Sequence, residues 1–138
     1  MGMLKTATIV FDIPTEITPQ VIEVPEGGLP PIVASNVTID GYTQPGAVAN
    51  SASILEPNNA VIGIVIDARN GNHTGQASGS GEGDILTILG DDVLIQGLSF
   101  LNTFETAEGG SNYGINWRDG ASGGRISGCW VGLHPDGK

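Results

Sequence analysis

A short string that returns with the same chemistry constrains this chain more than any other feature. Val37-Thr38-Ile39-Asp40-Gly41 and Val93-Leu94-Ile95-Gln96-Gly97 share it, and Ile126-Ser127-Gly128 repeats its end. Each closes on an aliphatic residue, a polar residue and a glycine. Strand alternation puts the aliphatic and the polar residue on opposite faces. The expected register therefore has Ile39, Ile95 and Ile126 inside, with Asp40, Gln96 and Ser127 outside. Glycine at the corner tolerates a positive φ and lets neighbouring backbone approach closely.

The segments around these strings follow the same plan. Residues 85–89, 93–96 and 98–101 are short apolar runs separated only by Gly90-Asp91-Asp92 and Gly97. Residues 113–117, 125–127 and 129–131 repeat the order, with a turn at 119–124 and a corner at Gly128. Three very short strands with minimal corners, about 20 residues in all, make one coil of a solenoid. Alternation places Leu98, Phe100, Cys129 and Val131 inside, and Ser99, Leu101 and Trp130 outside. Earlier strands are expected in residues 7–13, 21–24, 53–56 and 61–67. The last is almost continuously apolar, as in a strand covered on both faces. No amphipathic helical pattern appears.

A β-sandwich also contains many short strands, but it favours longer ones joined by hairpin signals. Single-glycine corners favour the solenoid. The expected fold is thus all-β, a parallel β-helix of few coils forming one structural domain. Residues 1–35 would supply N-terminal strands or a cap, and residues 36–138 the coils, with a Gly-rich excursion at 70–83.

Composition narrows the partners. Fifteen acidic against five basic residues give a net charge of −10, and 22 of the 138 residues are glycine. Lys5, Arg69, Arg118, Arg125 and Lys138 are too scattered to neutralise a row of phosphates. Nucleic acid and anionic membranes are therefore not expected partners. The acidic surface reads as a solubility device that also attracts divalent cations. The single cysteine, Cys129, excludes an internal disulfide and lies in an apolar run. The chain carries no signal segment, and no apolar run is long enough to span a bilayer.

The segment Asn36-Val37-Thr38-Ile39-Asp40-Gly41-Tyr42-Thr43-Gln44-Pro45-Gly46 closely resembles one that recurs in bacterial secreted and surface proteins of the right-handed parallel β-helix, or pectate-lyase-like, superfamily. Ile9-Val10-Phe11-Asp12-Ile13-Pro14 and Gly128-Cys129-Trp130-Val131-Gly132-Leu133 are similar to strings in the same proteins. The resemblance implies right-handed coils, a secreted or cell-surface parent protein, and further coils beyond residue 138. The chain would then be an N-terminal fragment truncated at its C-terminal end. Open coil ends expose strand edges and apolar interior, so end-to-end self-association is expected.

Proteins of this type include lyases, hydrolases and adhesins, and fold alone does not choose among them. A polyuronide lyase needs a base beside acidic groups that hold calcium. Here Arg125 and the outward row of Asp40, Gln96 and Ser127 supply one base and one acid. A polygalacturonase-like hydrolase needs several clustered aspartates. Gly90-Asp91-Asp92 matches one of its short motifs, Arg125-Ile126 matches another in part, and a Gly-His-Gly string is lacking. Asp91 and Asp92 equally suit a turn, where aspartate bonds its own backbone. His73 and His134 have no nucleophile at a recognisable spacing, and one cysteine with two distant histidines does not suit zinc.

Asp84, Asp91 and Asp92, with Glu105 and Glu108, are candidate calcium ligands in loops rich in oxygen donors. Tyr113, Trp117, Arg118 and Trp130, beside Asn116, are candidates for a glycan platform, since sugar rings stack on exposed aromatic faces. The expected function is a non-catalytic extracellular β-helix module that is structural, adhesive or glycan-binding. The alternative is a fragment of a polysaccharide lyase or glycoside hydrolase whose catalytic coils lie elsewhere.

Overall fold

The computed structural model describes residues 5–14, 18–25, 28–69, 84–102 and 113–136. The expected excursion at 70–83 lies outside the described residues, as do His73, Glu105 and Glu108. Strands dominate: β1 (Ala7–Val10), β2 (Gln20–Glu23), β3 (Val37–Asp40), β4 (Ile64–Asp67), β5 (Leu86–Ile88), β6 (Leu94–Gln96), β7 (Leu98–Leu101), β8 (Ile115–Trp117), β9 (Arg125–Ser127) and β10 (Trp130–Val131). One 3₁₀ turn, Gly41–Thr43, follows β3. Among the described residues no helix is long and apolar enough to cross a membrane.

All pairs between these strands are parallel. Sheet A has the order β1-β3-β6-β9, sheet B the order β2-β4-β7-β10, and sheet C pairs β5 with β8. Ile32 adds a parallel bridge to Ile88 and so extends sheet C. The chain visits the sheets in one repeating sequence, A then B then C, from β1 to β10. Parallel neighbours need a crossover between them. Here each crossover passes through the other two sheets.

Register follows the recurring string. Ile9, Ile39, Ile95 and Ile126 stand in one row across sheet A. Val10, Asp40, Gln96 and Ser127 form the adjacent row, as alternation requires. In sheet B, Ile22, Ile66, Phe100 and Val131 form an inward row. The core is drawn from all three sheets: Ile39, Ile64, Ile66, Ile85, Ile88, Ile95, Leu98 and Phe100 are buried. Nearly continuous burial of β4 agrees with its apolar sequence.

Three expectations about individual positions need correction. Ile126 and Val131 keep the inward register but are 46% and 58% exposed, because β9 and β10 are edge strands. Ser99, on the outward row, is buried, since its hydroxyl donates to the Leu133 carbonyl at 2.8 Å beneath the C-terminal segment. Residues 53–56 form a turn, not a strand. The Glu56 N–H donates to the Ser53 carbonyl at 3.0 Å, and the Glu56 carboxylate accepts from the Ser53 N–H at 3.3 Å. Asn50 and Asn59 bind further backbone groups of the loop, which is closed by the antiparallel bridge Val48–Val61. Side-chain bonding of this local kind competes with strand pairing.

Candidate functional site

The corners position several of the polar side chains that the sequence singles out, Asp84, Asp91 and Asp92 among them. Entry into sheet A is made three times by a left-handed residue: Asn36 at φ 59°, Asp92 at φ 53° and Gly123 at φ 69°. Asn and Asp are the residues that tolerate this region most readily after glycine. These entries stack on one another. The Asn36 N–H donates to the Asp91 carbonyl at 2.9 Å, and the Asp92 N–H to the Ser122 carbonyl at 2.8 Å. The Asp91 carboxylate accepts from the Ser122 N–H at 2.8 Å and its hydroxyl at 3.0 Å. Asp91 and Asp92 thus lie in a turn, and the Asp91 carboxylate ties that turn to Ser122 of a later pass.

Exit from sheet A is organised by the segment after Asp40. The Asp40 carboxylate accepts from the Tyr42 N–H at 3.0 Å and caps the 3₁₀ turn. The Thr43 hydroxyl accepts from the Phe11 N–H at 2.7 Å and donates to the Asp40 carbonyl at 2.7 Å. Gln44 is buried, and its amide meets both backbone groups of Ile13, accepting at 3.0 Å and donating at 2.9 Å. Tyr42 extends over Gly97 and reaches the Gly128 carbonyl. Burial above all, together with the Cys129 and Asp40 sides of its environment, holds the Tyr42 phenol above its ordinary pKa.

Between sheets B and C, two aspartates tie successive passes together. Asp67 is buried at the end of β4 and accepts from the Asn102 amide at 2.6 Å and the Arg69 N–H at 2.9 Å. The Arg69 guanidinium closes an ion pair with it at 2.6 Å. Asp84 is buried before β5 and accepts from the Asn116 amide at 2.7 Å and the Tyr113 N–H at 2.9 Å. The two Asp–Asn pairs hold the departure and return of the connections between β4 and β5 and between β7 and β8. No spacing in the sequence pairs Asp67 with Asn102, Tyr42 with Gly128 or Gln44 with Ile13, because each contact joins segments more than 30 residues apart.

The candidate calcium ligands are separated by these roles: Asp84 belongs to the B–C connection, Asp91 and Asp92 to the entry into sheet A. Among the described residues no three His, Cys, Asp or Glu side chains gather as a metal site. The aromatic candidates divide between two sheets. Trp117 shares a row with buried Ile88 and packs against the core. Its indole fills the space beside Gly124, where any side chain would collide with it. Gly124 therefore stands one residue before Arg125, in the row where Val37 and Val93 supply aliphatic bulk. Tyr113 is 52% exposed at the approach to sheet C, followed after β8 by Arg118, whereas Trp130 lies half-buried on the outward row of sheet B.

The outward row of sheet A does form as expected, with Asp40, Gln96 and Ser127 side by side and Arg125 at the edge. Arg125 and Asp40 lie two strands apart and two residues out of register, about 12 Å, and the carboxylate is turned to the Tyr42 N–H. His134 pairs with Asp136 at 2.9 Å, away from these residues in sequence. Burial pushes the Cys129 thiol up, against smaller opposing hydrogen bonds from backbone. Comparison of the chain with protein-family models, curated proteins and solved structures gave no match.

Proposed function

We propose that sheets A, B and C are the three sides of a right-handed parallel β-helix, and that the chain is a non-catalytic extracellular module of that architecture. The observation carrying the architectural part is the cyclic order: the chain enters A, B and C in turn, always parallel to its previous visit. A right-handed hand is what parallel crossovers overwhelmingly adopt. Support for a scaffold role comes from the use of polar side chains. Asp40, Gln44, Asp67, Asp84 and Asp91 are all bonded to backbone that links one pass to another or closes a corner.

In this reading the parent protein is secreted or displayed at a cell surface, and its partner is a polysaccharide or another surface component. Tyr113 and Trp130 offer aromatic faces on separate sides of the module. A glycan array, followed by titration of any hit against Tyr113→Ala and Trp130→Ala, tests the binding role. Loss of binding in either variant is expected, with unchanged melting.

The second reading, a fragment of a polysaccharide lyase or glycoside hydrolase, is favoured by Arg125 standing at the edge of the outward polar row. An ultraviolet assay for unsaturated uronate and a reducing-sugar assay distinguish it. Product in either assay would replace the scaffold reading.

A further inference from the structure

An aspartate followed by glycine can rearrange its own backbone, and the described residues hold this pair at Asp40-Gly41 and at Asp119-Gly120. Their surroundings differ. The Asp40 carboxylate accepts from the Tyr42 N–H at 3.0 Å, and Gly41 is buried against the Gly97 backbone. Asp119 and Gly120 are exposed in the turn between β8 and β9. There the Ala121 N–H donates to the Arg118 carbonyl at 3.0 Å, with Asp119 at φ 54° and Gly120 at φ 81°. Two positive φ values under such a bond make a type I′ turn. Apart from its chain neighbours, no heavy atom lies within 4 Å of the point where a Gly120 side chain would begin.

We propose that Asp119 is a site of spontaneous conversion to isoaspartate in the folded protein, and that Asp40 is protected from it. In a type I′ turn ψ of the first central residue is about +30°, which points the next nitrogen away from the side-chain carboxyl. A flip of the peptide plane between Asp119 and Gly120 gives the type II′ form. It keeps φ of Asp119 positive and the Ala121–Arg118 bond in place, while ψ of Asp119 moves to about −120° and φ of Gly120 to about −80°. Glycine accepts both signs of φ, and the open space around Gly120 leaves the flip unobstructed. At the new ψ the Gly120 nitrogen eclipses Cβ and approaches the carboxyl carbon. It attacks the protonated carboxyl, a C–N bond forms, and the hydroxyl leaves with the amide proton as water. The product is a cyclic imide. Water then opens it: breaking the new C–N bond restores aspartate, and breaking the original peptide bond leaves the main chain running through the former side-chain carboxyl. That route lengthens the link between β8 and β9, which also carries Ser122, bonded to Asp91, and Gly124, packed against the Trp117 indole. At Asp40 the carboxylate is held by Tyr42, and Gly41 has no room to turn.

This inference rests on the turn alone and does not depend on the glycan reading. The full chain is incubated warm in buffer and, in parallel, in urea, until the unfolded sample shows product at both pairs. Each sample is then mapped with an endoproteinase that cuts before aspartate but not before isoaspartate. The folded chain is expected to lose cleavage at residue 119 and keep it at residue 40, whereas the unfolded chain loses both. Asn70-Gly71 and Asp136-Gly137, which reach outside the described residues, fall on other peptides of this map. Asp119→Asn and Asp40→Asn give a second readout, since asparagine closes the same ring with loss of ammonia and each product peptide is heavier. Asparagine also tolerates the left-handed backbone at 119 and can cap the turn at 40. The mass gain is expected in the folded Asp119→Asn chain and, for Asp40→Asn, only in urea. Should Asp40→Asn lose its wild-type circular dichroism, the wild-type map alone carries the comparison. A folded chain that keeps cleavage at 119 overturns the proposal. So does a folded chain that loses cleavage equally at 40 and 119, because the fold would then protect neither.

Discussion

The Tyr42 hydroxyl donates to the Gly128 carbonyl at 3.1 Å, after its ring has crossed Gly97 on the pass between. One side chain thereby spans three successive visits to the same corner. A Cβ on Gly97 would lie 2.8 Å from ring carbons of Tyr42, and Gly97 itself sits at φ 67°. Glycine is needed there for two reasons at once: the left-handed backbone and the flat passage of an aromatic ring. Gly97→Ala is expected to cost at least about 2 kcal/mol, combining the left-handed penalty with displacement of the ring. Tyr42→Phe should cost about 1 kcal/mol for the lost hydrogen bond. Urea denaturation checks both. The double variant Gly97→Ala/Tyr42→Ala should lose less than the sum of its parts, because the two share one contact.

Gln44 is a buried side chain whose amide pairs with both backbone groups of Ile13. Gln44→Ala is expected to destabilise by about 2–3 kcal/mol, as it leaves a cavity and two backbone groups without their partner. Gln44→Glu keeps the size but cannot donate to the Ile13 carbonyl, so it should recover little stability at neutral pH. Thermal melts of the two variants test the amide's role. Near-wild-type melting of either would mean that Ile13 is held by other contacts.

Asp67 links stability to pH. Burial pushes its carboxyl up, but hydrogen bonds from the Arg69 guanidinium, the Asn102 amide and the Arg69 N–H together hold it below the ordinary aspartate range. A depressed folded-state value means that the carboxylate stabilises fully above the unfolded value of about 4. That stabilisation disappears as pH falls through the lower folded value. Asp67→Asn should therefore cost about 1–3 kcal/mol at pH 7 by calorimetry, with the deficit shrinking in acid. An equal deficit at acid and neutral pH would assign the loss to packing instead.

Cys129 packs against the core, and its thiol lies 3.6 Å from the Ile95 carbonyl. Burial raises the thiol above its usual range, so the thiolate fraction at neutral pH is small. Maleimide labelling of the native protein should be much slower than labelling in denaturant. It should accelerate with pH only above the range of a free cysteine. Rapid labelling at neutral pH would show that the end of sheet B opens readily.

Much of the scaffold was legible from periodicity. The row of Ile39, Ile95 and Ile126, and the polar row beside it, follow from alternation plus a corner glycine, and both occur as expected. Exposure at Ile126 and Val131 was not legible, because register fixes a face and neighbouring strands fix burial. The turn at 53–56 escaped for a different reason: two adjacent aliphatics, Ile54 and Leu55, suggest a strand, yet Asn50, Glu56 and Asn59 satisfy the backbone locally. At the site, outward placement of Trp130 was readable, while packing of Trp117 into the space left by Gly124 depends on how the turn between β8 and β9 folds back. The clamps made by Gln44, Asp67 and Asp84 were likewise beyond reach. A lone polar residue in sequence does not announce which distant amide it will meet.

A parallel, cyclic register relates the strands of sheets A, B and C. Interstrand nuclear Overhauser effects on the uniformly labelled chain test it most directly. Parallel-sheet cross-peaks are expected to link Ile39 to Ile95 and Ile95 to Ile126, with Ile66 linked to Phe100 in the second sheet. Close Hα–Hα contacts of antiparallel pairs between successive strands, such as β6 with β7, would contradict it and favour a sandwich.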